Sequence, residues 1–82
     1  MQRYRVEIIQ YTNNQDKIFS DCNSITFINT GASNALIGAY VIAPGAFLSV
    51  PGNFGEMDVT QYSLSFSGVG ANNVTVIRKM YV

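Results

Sequence analysis

The feature that most limits how this chain can fold is an apolar run, Ala35–Val50, in which only one of the sixteen side chains is polar. Pro44 and Gly45 divide the run. Because proline has no N–H for a helix and fixes φ, the run predicts two short strands joined at a turn, Ala35–Ile42 and Ala46–Val50. A bilayer needs roughly 20 uninterrupted apolar residues, so we predict no membrane span. We expect this run to form the buried centre of the fold.

Alternation of apolar and polar residues predicts strands along the rest of the chain. It is most regular in Gln61–Ser67, where Tyr62, Leu64 and Phe66 are expected to face inward. No stretch keeps a helical period without a Gly, Pro or Asn cluster inside it. The predicted strands are Arg3–Tyr11, Lys17–Ser20, Ser24–Asn29, Ala35–Ile42, Ala46–Val50, Gln61–Ser67 and Val74–Val82.

The spacing of these strands predicts one all-β domain over residues 1–82. We expect a single small antiparallel β-sandwich or flattened barrel, jelly-roll-like, with six to seven strands. In the first strand, Tyr4, Val6 and Ile8 form the expected inward set. Gly38 is expected to let a neighbouring backbone or ring approach closely.

The side chains needed for several kinds of chemistry are missing from the sequence. There is no histidine, and Cys22 is the only cysteine, which excludes an internal disulfide, a zinc ligand set and Ser-His or Cys-His catalysis. Glu56 and Asp58 could act as an acid and base pair or bind calcium, or could simply form a polar patch beside a turn. We favour the patch, because so short a chain encloses little pocket. We therefore predict no enzyme activity, no cofactor, no metal and no small-molecule substrate.

Low charge favours association of this chain with copies of itself or with other subunits. Charged residues make up 12% of the sequence and the formal net charge is zero, against roughly 25% charged residues in ordinary soluble domains. Apolar residues out of step with the inward set of their strand, together with one loop phenylalanine, are interface candidates, although some of them must cover the opposite sheet. They are Ile9, Ile28, Leu36, Tyr40, Ile42, Phe54 and Ile77.

A second candidate feature is a basic edge formed by the two terminal strands. Arg3 and Arg5 lie in the first predicted strand, and Arg78 and Lys79 lie in the last. Such a cluster could contact phosphates, or could keep an exposed edge from unwanted pairing. The zero net charge and the lack of a nucleic-acid-binding motif favour the second role, and we predict no nucleic-acid partner.

Three segments, NTG at 29–31, IAPG at 42–45 and GEMDVTQYSLSF at 55–66, resemble those of small all-β virion proteins of bacteriophages, including head decoration and minor capsid components. The resemblance implies a structural protein present in many copies, located in the virion and without catalytic residues. The N-terminal residues lack the apolar stretch of a signal peptide, so a cytoplasmic location is the other expectation. The alternative function is a small glycan- or ligand-binding β module. Stable oligomers favour assembly, and a monomer with a concave Tyr and Asn patch favours binding.

Overall fold

A computed structural model describes residues 1, 3–53 and 55–82 of the chain. The described residues form eight strands and no helix, which confirms the all-β prediction. The strands are β1 Tyr4–Tyr11, β2 Gln15–Phe19, β3 Ser24–Asn29, β4 Asn34–Ile37, β5 Tyr40–Ile42, β6 Phe47–Val50, β7 Gln61–Ser67 and β8 Val74–Tyr81.

The eight strands make two antiparallel sheets of four. The first sheet has the order β1-β8-β3-β6 and the second has the order β2-β7-β4-β5. The chain as a whole pairs as one long folded hairpin, β1 with β8, β2 with β7, β3 with β6 and β4 with β5. Successive pairs of this hairpin lie alternately in the first and the second sheet. The β3–β8 and β4–β7 ladders join these pairs into sheets. The predicted sandwich is therefore confirmed, whereas a closed barrel and a count of six to seven strands are wrong.

The core lies between the inward faces of the two sheets. Phe27 of β3 and Tyr62 of β7 meet across it, with ring centroids 5.1 Å apart in an edge-to-face arrangement. Leu64 is 1% exposed, and Tyr62 and Phe66 pack against the core, as the alternation of β7 predicts. The buried apolar residues are Ile18, Cys22, Ile25, Phe27, Ala35, Ile37, Ile42, Leu64, Val74 and Val76.

The apolar run does not form the buried centre, which corrects the expectation from the sequence. It supplies β4, but β5 and β6 are edge strands of different sheets, and the Pro44–Gly45 turn carries the chain from one sheet to the other. In that turn the Ala46 N–H donates to the Ala43 carbonyl at 2.9 Å, and Gly45 has φ +84°. Edge strands leave side chains in solvent, and Tyr40 and Phe47 are exposed.

The extra strand arises at Gly38, inside the predicted strand Ala35–Ile42. Gly38 has φ +59°, a left-handed conformation that side chains rarely adopt. The chain reverses there, and β4 pairs with β5 as a tight hairpin. A Cβ built at Gly38 would meet nothing within 4 Å, so the expected close approach is wrong.

The faces of β1 are also reversed from the expectation. Tyr4, Val6 and Ile8 point to solvent, whereas Ile9 is half-buried and Tyr11 packs against the core. The inward face of β1 thus includes Arg5 and Glu7. The structure accommodates Glu7 there because its carboxylate pairs with the Arg78 guanidinium on β8, which satisfies both charges at a partly buried position.

Two buried asparagines fasten loops to strand ends. Asn23, just before β3 begins, donates to the Glu56 carbonyl at 2.6 Å and accepts from the Tyr81 N–H at 2.8 Å. Asn29 donates to the carbonyls of Ser33 and Ile42, both at 2.8 Å. These bonds satisfy backbone N–H and C=O groups that have no partner in the sheet ladders, so the loops close both ends of the sandwich.

We predict that Leu64→Ala lowers the free energy of unfolding by about 2–5 kcal/mol, because it leaves a cavity between the two sheets. Chemical denaturation followed by circular dichroism measures this change. Val69→Ala is the control, since Val69 lies almost fully exposed in the β7–β8 loop and should change stability by less than about 0.5 kcal/mol. Equal effects of the two substitutions would contradict the assigned core.

Candidate interaction surface

The outward face of the first sheet is an uncovered surface on which seven of thirteen side chains are aliphatic or aromatic. The cross-strand register and the burial pattern together define its members. They are Tyr4, Val6, Ile8 and Gln10 of β1, Thr75, Ile77, Lys79 and Tyr81 of β8, Ser24, Thr26 and Ile28 of β3, and Phe47 and Ser49 of β6. We call this set the outer face.

Apolar side chains on the outer face are neighbours across the strands. Ile8 lies opposite Ile77, Tyr4 lies opposite Tyr81, and Ile28 lies opposite Phe47. Ile8 and Phe47 are 66% and 64% exposed. Ile77 and Ile28 are diagonal neighbours on adjacent strands, which brings long side chains within reach of each other. The apolar stripe therefore crosses all four strands from one edge of the sheet to the other.

Lys79 is the only charged side chain among the described members of the outer face. Its ammonium group lies 4.5 Å from the ring centroid of Tyr4 and 5.0 Å from that of Tyr81, and the two rings meet edge to face. The ring faces attract the ammonium group. The charge thus lies beside the stripe, opposite Val6, and no charged side chain stands between Ile8, Ile77, Ile28 and Phe47.

The second sheet presents a different outward face. Its β7 strand alternates inward apolar residues with outward polar ones, and its outward side chains are Gln61, Ser63, Ser65 and Ser67. Hydroxyl and amide groups remain hydrated at no cost, whereas apolar groups favour burial. On this face the polar row of β7 separates the apolar Phe19 of β2 from Leu36 and Val41 of β4 and β5, whereas on the outer face apolar side chains adjoin one another across all four strands.

The interface candidates from the sequence separate into several environments. Ile28 and Ile77 lie half-buried on the outer face, Leu36 lies half-buried on the outward side of β4, and Tyr40 is exposed at the β4–β5 hairpin. Ile9 faces inward. Ile42 is 1% exposed and belongs to the core, which corrects its assignment to an interface. Phe54 lies outside the described residues.

The sequence reasoning missed the most exposed members of the outer face. Val6 and Ile8 were assigned to the inward set of β1, and Phe47 was assigned to a buried central strand, yet all three are exposed. The apolar character of both faces of β1 near Ile8 and Ile9 was the signal for a second apolar surface. Alternation alone does not tell which of two apolar faces is inward.

The predicted basic edge does not form one cluster, although β1 and β8 do pair. Arg78 and Lys79 are consecutive, so they point to opposite faces of the sheet. Arg78 is half-buried, pairs with Glu7 and donates to the carbonyls of Phe19 and Ser20 at 3.0 and 2.9 Å. Lys79 lies on the outer face, and Arg5 lies against the Met80 sulfur at 3.8 Å.

The acidic pair that could have done chemistry is used within the fold. Asp58 accepts hydrogen bonds from the Thr60 N–H and the Tyr62 hydroxyl, both at 2.8 Å, and from the Ser20 hydroxyl at 3.1 Å. Burial acts to raise the pKa of Asp58, but these hydrogen bonds together hold the pKa below its usual value. Glu56 accepts from the Asn53 N–H at 3.0 Å. Because its oxygens already accept these hydrogen bonds, the Asp58 carboxylate is a weak base.

Cys22 is fully buried beside this polar cluster. Burial raises the pKa of its thiol, and the nearby Arg78 charge offsets the effect only in part. Thiolates are the reactive form of cysteine, so Cys22 is placed as an inert core residue. Among residues 1, 3–53 and 55–82, no group of three His, Cys, Asp or Glu side chains could hold a metal ion.

A cavity of about 230 Å³ opens between β1 and β2, which are edge strands of different sheets. Its walls combine apolar side chains with two cationic ones. The lining residues are Ile9, Tyr11, Lys17, Ile18, Phe19, Val76 and Arg78. Such a cavity suits an apolar group carrying a negative charge better than a neutral sugar.

Comparison with protein-family models, with curated proteins and with solved structures finds no match to this chain. Nor does the part of the chain that the structure describes contain a helix with the length and apolar character needed to cross a bilayer. Function is therefore inferred from the surfaces of the chain itself.

We predict that Asp58→Asn destabilises the fold at neutral pH and that the difference from the natural chain shrinks as the pH falls. The folded-state pKa of Asp58 is lowered, so its ionised form contributes stability above the unfolded value of about 3.9. That contribution is lost as the pH falls through the folded pKa, and Asn has no charge to lose. Urea denaturation between pH 7 and pH 2 measures the difference, with exposed Asp16→Asn as the control. A difference that stays constant with pH would contradict the role of the Asp58 charge.

Proposed function

We propose that this chain is a non-enzymatic structural protein that assembles with copies of itself, as a capsid decoration or minor capsid component of a virion. The observation that carries the proposal is the outer face, an apolar stripe across four strands with Lys79 held beside it by the Tyr4 and Tyr81 rings. Exposed apolar patches of this kind mark interaction sites in soluble proteins. Zero net charge removes the long-range repulsion between copies.

The strand order supports the same proposal. We infer that the sandwich is a jelly roll, because its eight strands pair as one long hairpin wound into two sheets of four. Jelly rolls recur in viral capsid and lectin domains. Since a fold does not determine function, this likeness is an analogy, and the chemistry of the outer face carries the argument.

Size gives the chain a physical reason to assemble. A domain of 82 residues buries only about 60% of the surface that its unfolded chain exposes, and it is correspondingly close to the stability limit. Its free Cys22 forms no internal disulfide. Covering the outer face with neighbouring copies would remove further apolar area from water. Assembly thus stabilises the fold as well as building a larger structure.

The cavity between β1 and β2 favours the second candidate, a small ligand-binding module. Its apolar walls and the cation Lys17 suit an apolar anion, whereas the Arg78 charge is already paired with Glu7. Two results together would favour binding over assembly. The chain would stay monomeric, and its Tyr11 and Phe19 signals would shift in NMR spectra when such a ligand is added.

We predict that Phe47→Lys weakens self-association at least about tenfold without unfolding the chain. Phe47 is exposed on the outer face, so a lysine there costs little in the monomer but opposes a dry interface. Sedimentation over a concentration series measures association, and circular dichroism verifies the β fold. Val41→Lys is the matched control, because Val41 is exposed on an edge strand of the second sheet.

The proposal would be contradicted if the natural chain remains monomeric at high concentration and if no partner is recovered with it from its source. Equal behaviour of the Phe47→Lys and Val41→Lys chains would contradict the role of the outer face. A different subunit recovered on the outer face would replace self-assembly with assembly into a mixed structure.

A further inference from the structure

The β1 strand is an unusually long and regular open edge for a small sandwich. Of the four edge strands, β5 has three residues, β6 has four, and β2 has five with a register shift inside it. By contrast, β1 has eight residues and pairs with β8 residue by residue, with neither a bulge nor a proline. Short strands and bulges protect edges from pairing, and β1 lacks both of these devices. Its inward-pointing charges, Arg5 and Glu7, would also oppose pairing unless a partner strand brings opposite charges against them.

The hydrogen-bond phase of β1 shows which backbone groups face outward. The Val82 N–H donates to the Arg3 carbonyl at 2.9 Å, next to the Tyr4 and Tyr81 pair. Antiparallel ladders alternate, so the odd-numbered residues of β1 bond to β8 and the even-numbered residues present their N–H and C=O groups at the edge. No loop among the described residues donates to or accepts from these outward groups.

We propose that a second copy of this chain pairs with β1 along this edge, antiparallel and with Val6 on the two-fold axis. This deepens the proposed function, on which it rests, by naming one contact between copies. In this register Val6 lies opposite Val6 of the second copy, and Tyr4 lies opposite Ile8. The outward backbone groups of these residues then bond in matched pairs, and the two first sheets become one sheet of eight strands.

Charge complementarity selects this register over its neighbours. With Val6 on the axis, Arg5 of each copy lies opposite Glu7 of the other on the inward side of the sheet. These positions are pairs without backbone bonds between them, where side chains approach most closely. Shifting the axis by one residue in either direction would place Glu7 opposite Glu7 or Arg5 opposite Arg5, and like charges directly opposite each other repel.

Glu7 has the capacity for this second contact. Arg78 reaches Glu7 through the carboxylate Oε1, and an ionised carboxylate has two oxygens that accept hydrogen bonds. Among the described residues, the Arg5 guanidinium donates to the Met80 sulfur, a weak acceptor. The second copy thus supplies each Arg5 with a stronger acceptor than its own chain offers.

The apolar stripe continues across the same axis. Tyr4, Val6 and Ile8 are exposed and project from the outer face of β1. Pairing the edges places Val6 beside Val6 and Tyr4 beside Ile8 on that face, so the two outer faces join into one apolar surface. Each dimer then presents about twice the apolar area to further copies, which links the edge contact to assembly.

Disulfide trapping tests the register directly, in a Cys22→Ser background so that the introduced thiol is the only one. Opposed residues with mutual backbone bonds have Cα atoms about 5.5 Å apart, which a disulfide spans. Val6→Cys chains should therefore cross-link to themselves on mild oxidation. Tyr4→Cys and Ile8→Cys chains should each fail to do so alone, because like positions lie about 13 Å apart, but should cross-link in an equal mixture.

Charge reversal tests the contact without a cross-link. Arg5→Glu should raise the dissociation constant of the dimer by about tenfold or more, because it places Glu opposite Glu7 twice. The double substitution Val41→Glu with Ser63→Glu, at exposed positions on the outward face of the second sheet, matches the change in net charge and should leave the dissociation constant unchanged. Equal effects of Arg5→Glu and this double substitution would overturn the edge contact.

The two proposals fail in different ways. If the natural chain associates but Val6→Cys does not cross-link, or if Ile8→Cys cross-links to itself faster than Val6→Cys, the edge register is wrong and the assembly proposal stands. If the natural chain does not associate at any concentration, both fail.

Discussion

The structure depends on the two ladders made by the last strand, β8. It pairs with β1 over eight residues on one side and with β3 over six on the other. The first sheet therefore exists only once the C-terminal residues have met both the start and the middle of the chain. Such pairings are far apart in sequence, and their loop-closure entropy must be overcome before the core forms. Folding of this chain is expected to be cooperative and to require its C-terminal strand.

The division between inward and outward faces follows from this arrangement. The inward faces of both sheets share one core, with Phe27 against Tyr62 at its centre. The outward face of the second sheet has a hydroxyl-rich row along β7, whereas that of the first sheet carries the continuous apolar stripe. Residues 1, 3–53 and 55–82 form two layers, with no third layer over that stripe. Contact with neighbouring copies would bury it, which is the basis of the assembly proposal.

Much of the fold could be predicted from local pattern, and the failures have identifiable causes. The strands Ser24–Asn29 and Gln61–Ser67 were predicted with their correct bounds, because alternation is strict in Gln61–Ser67 and holds over most of Ser24–Asn29, next to a turn cluster. The run Ala35–Val50 was misplaced because hydrophobicity does not distinguish a central strand from an edge strand of a small sandwich. The faces of β1 were reversed because Glu7 tolerates an inward position only through Arg78, which is 71 residues away in sequence. Contacts between distant residues of this kind carry no local signal.

Amide hydrogen exchange of the natural chain, followed residue by residue as concentration rises, tests the account most directly. Along β1 the amides of Arg5, Glu7 and Ile9 bond to β8 and should be protected at every concentration. The amides of Val6 and Ile8 face the open edge, so they should exchange rapidly in the monomer and become protected as copies associate. Association that leaves Val6 and Ile8 exchanging at their monomer rates would contradict pairing through β1.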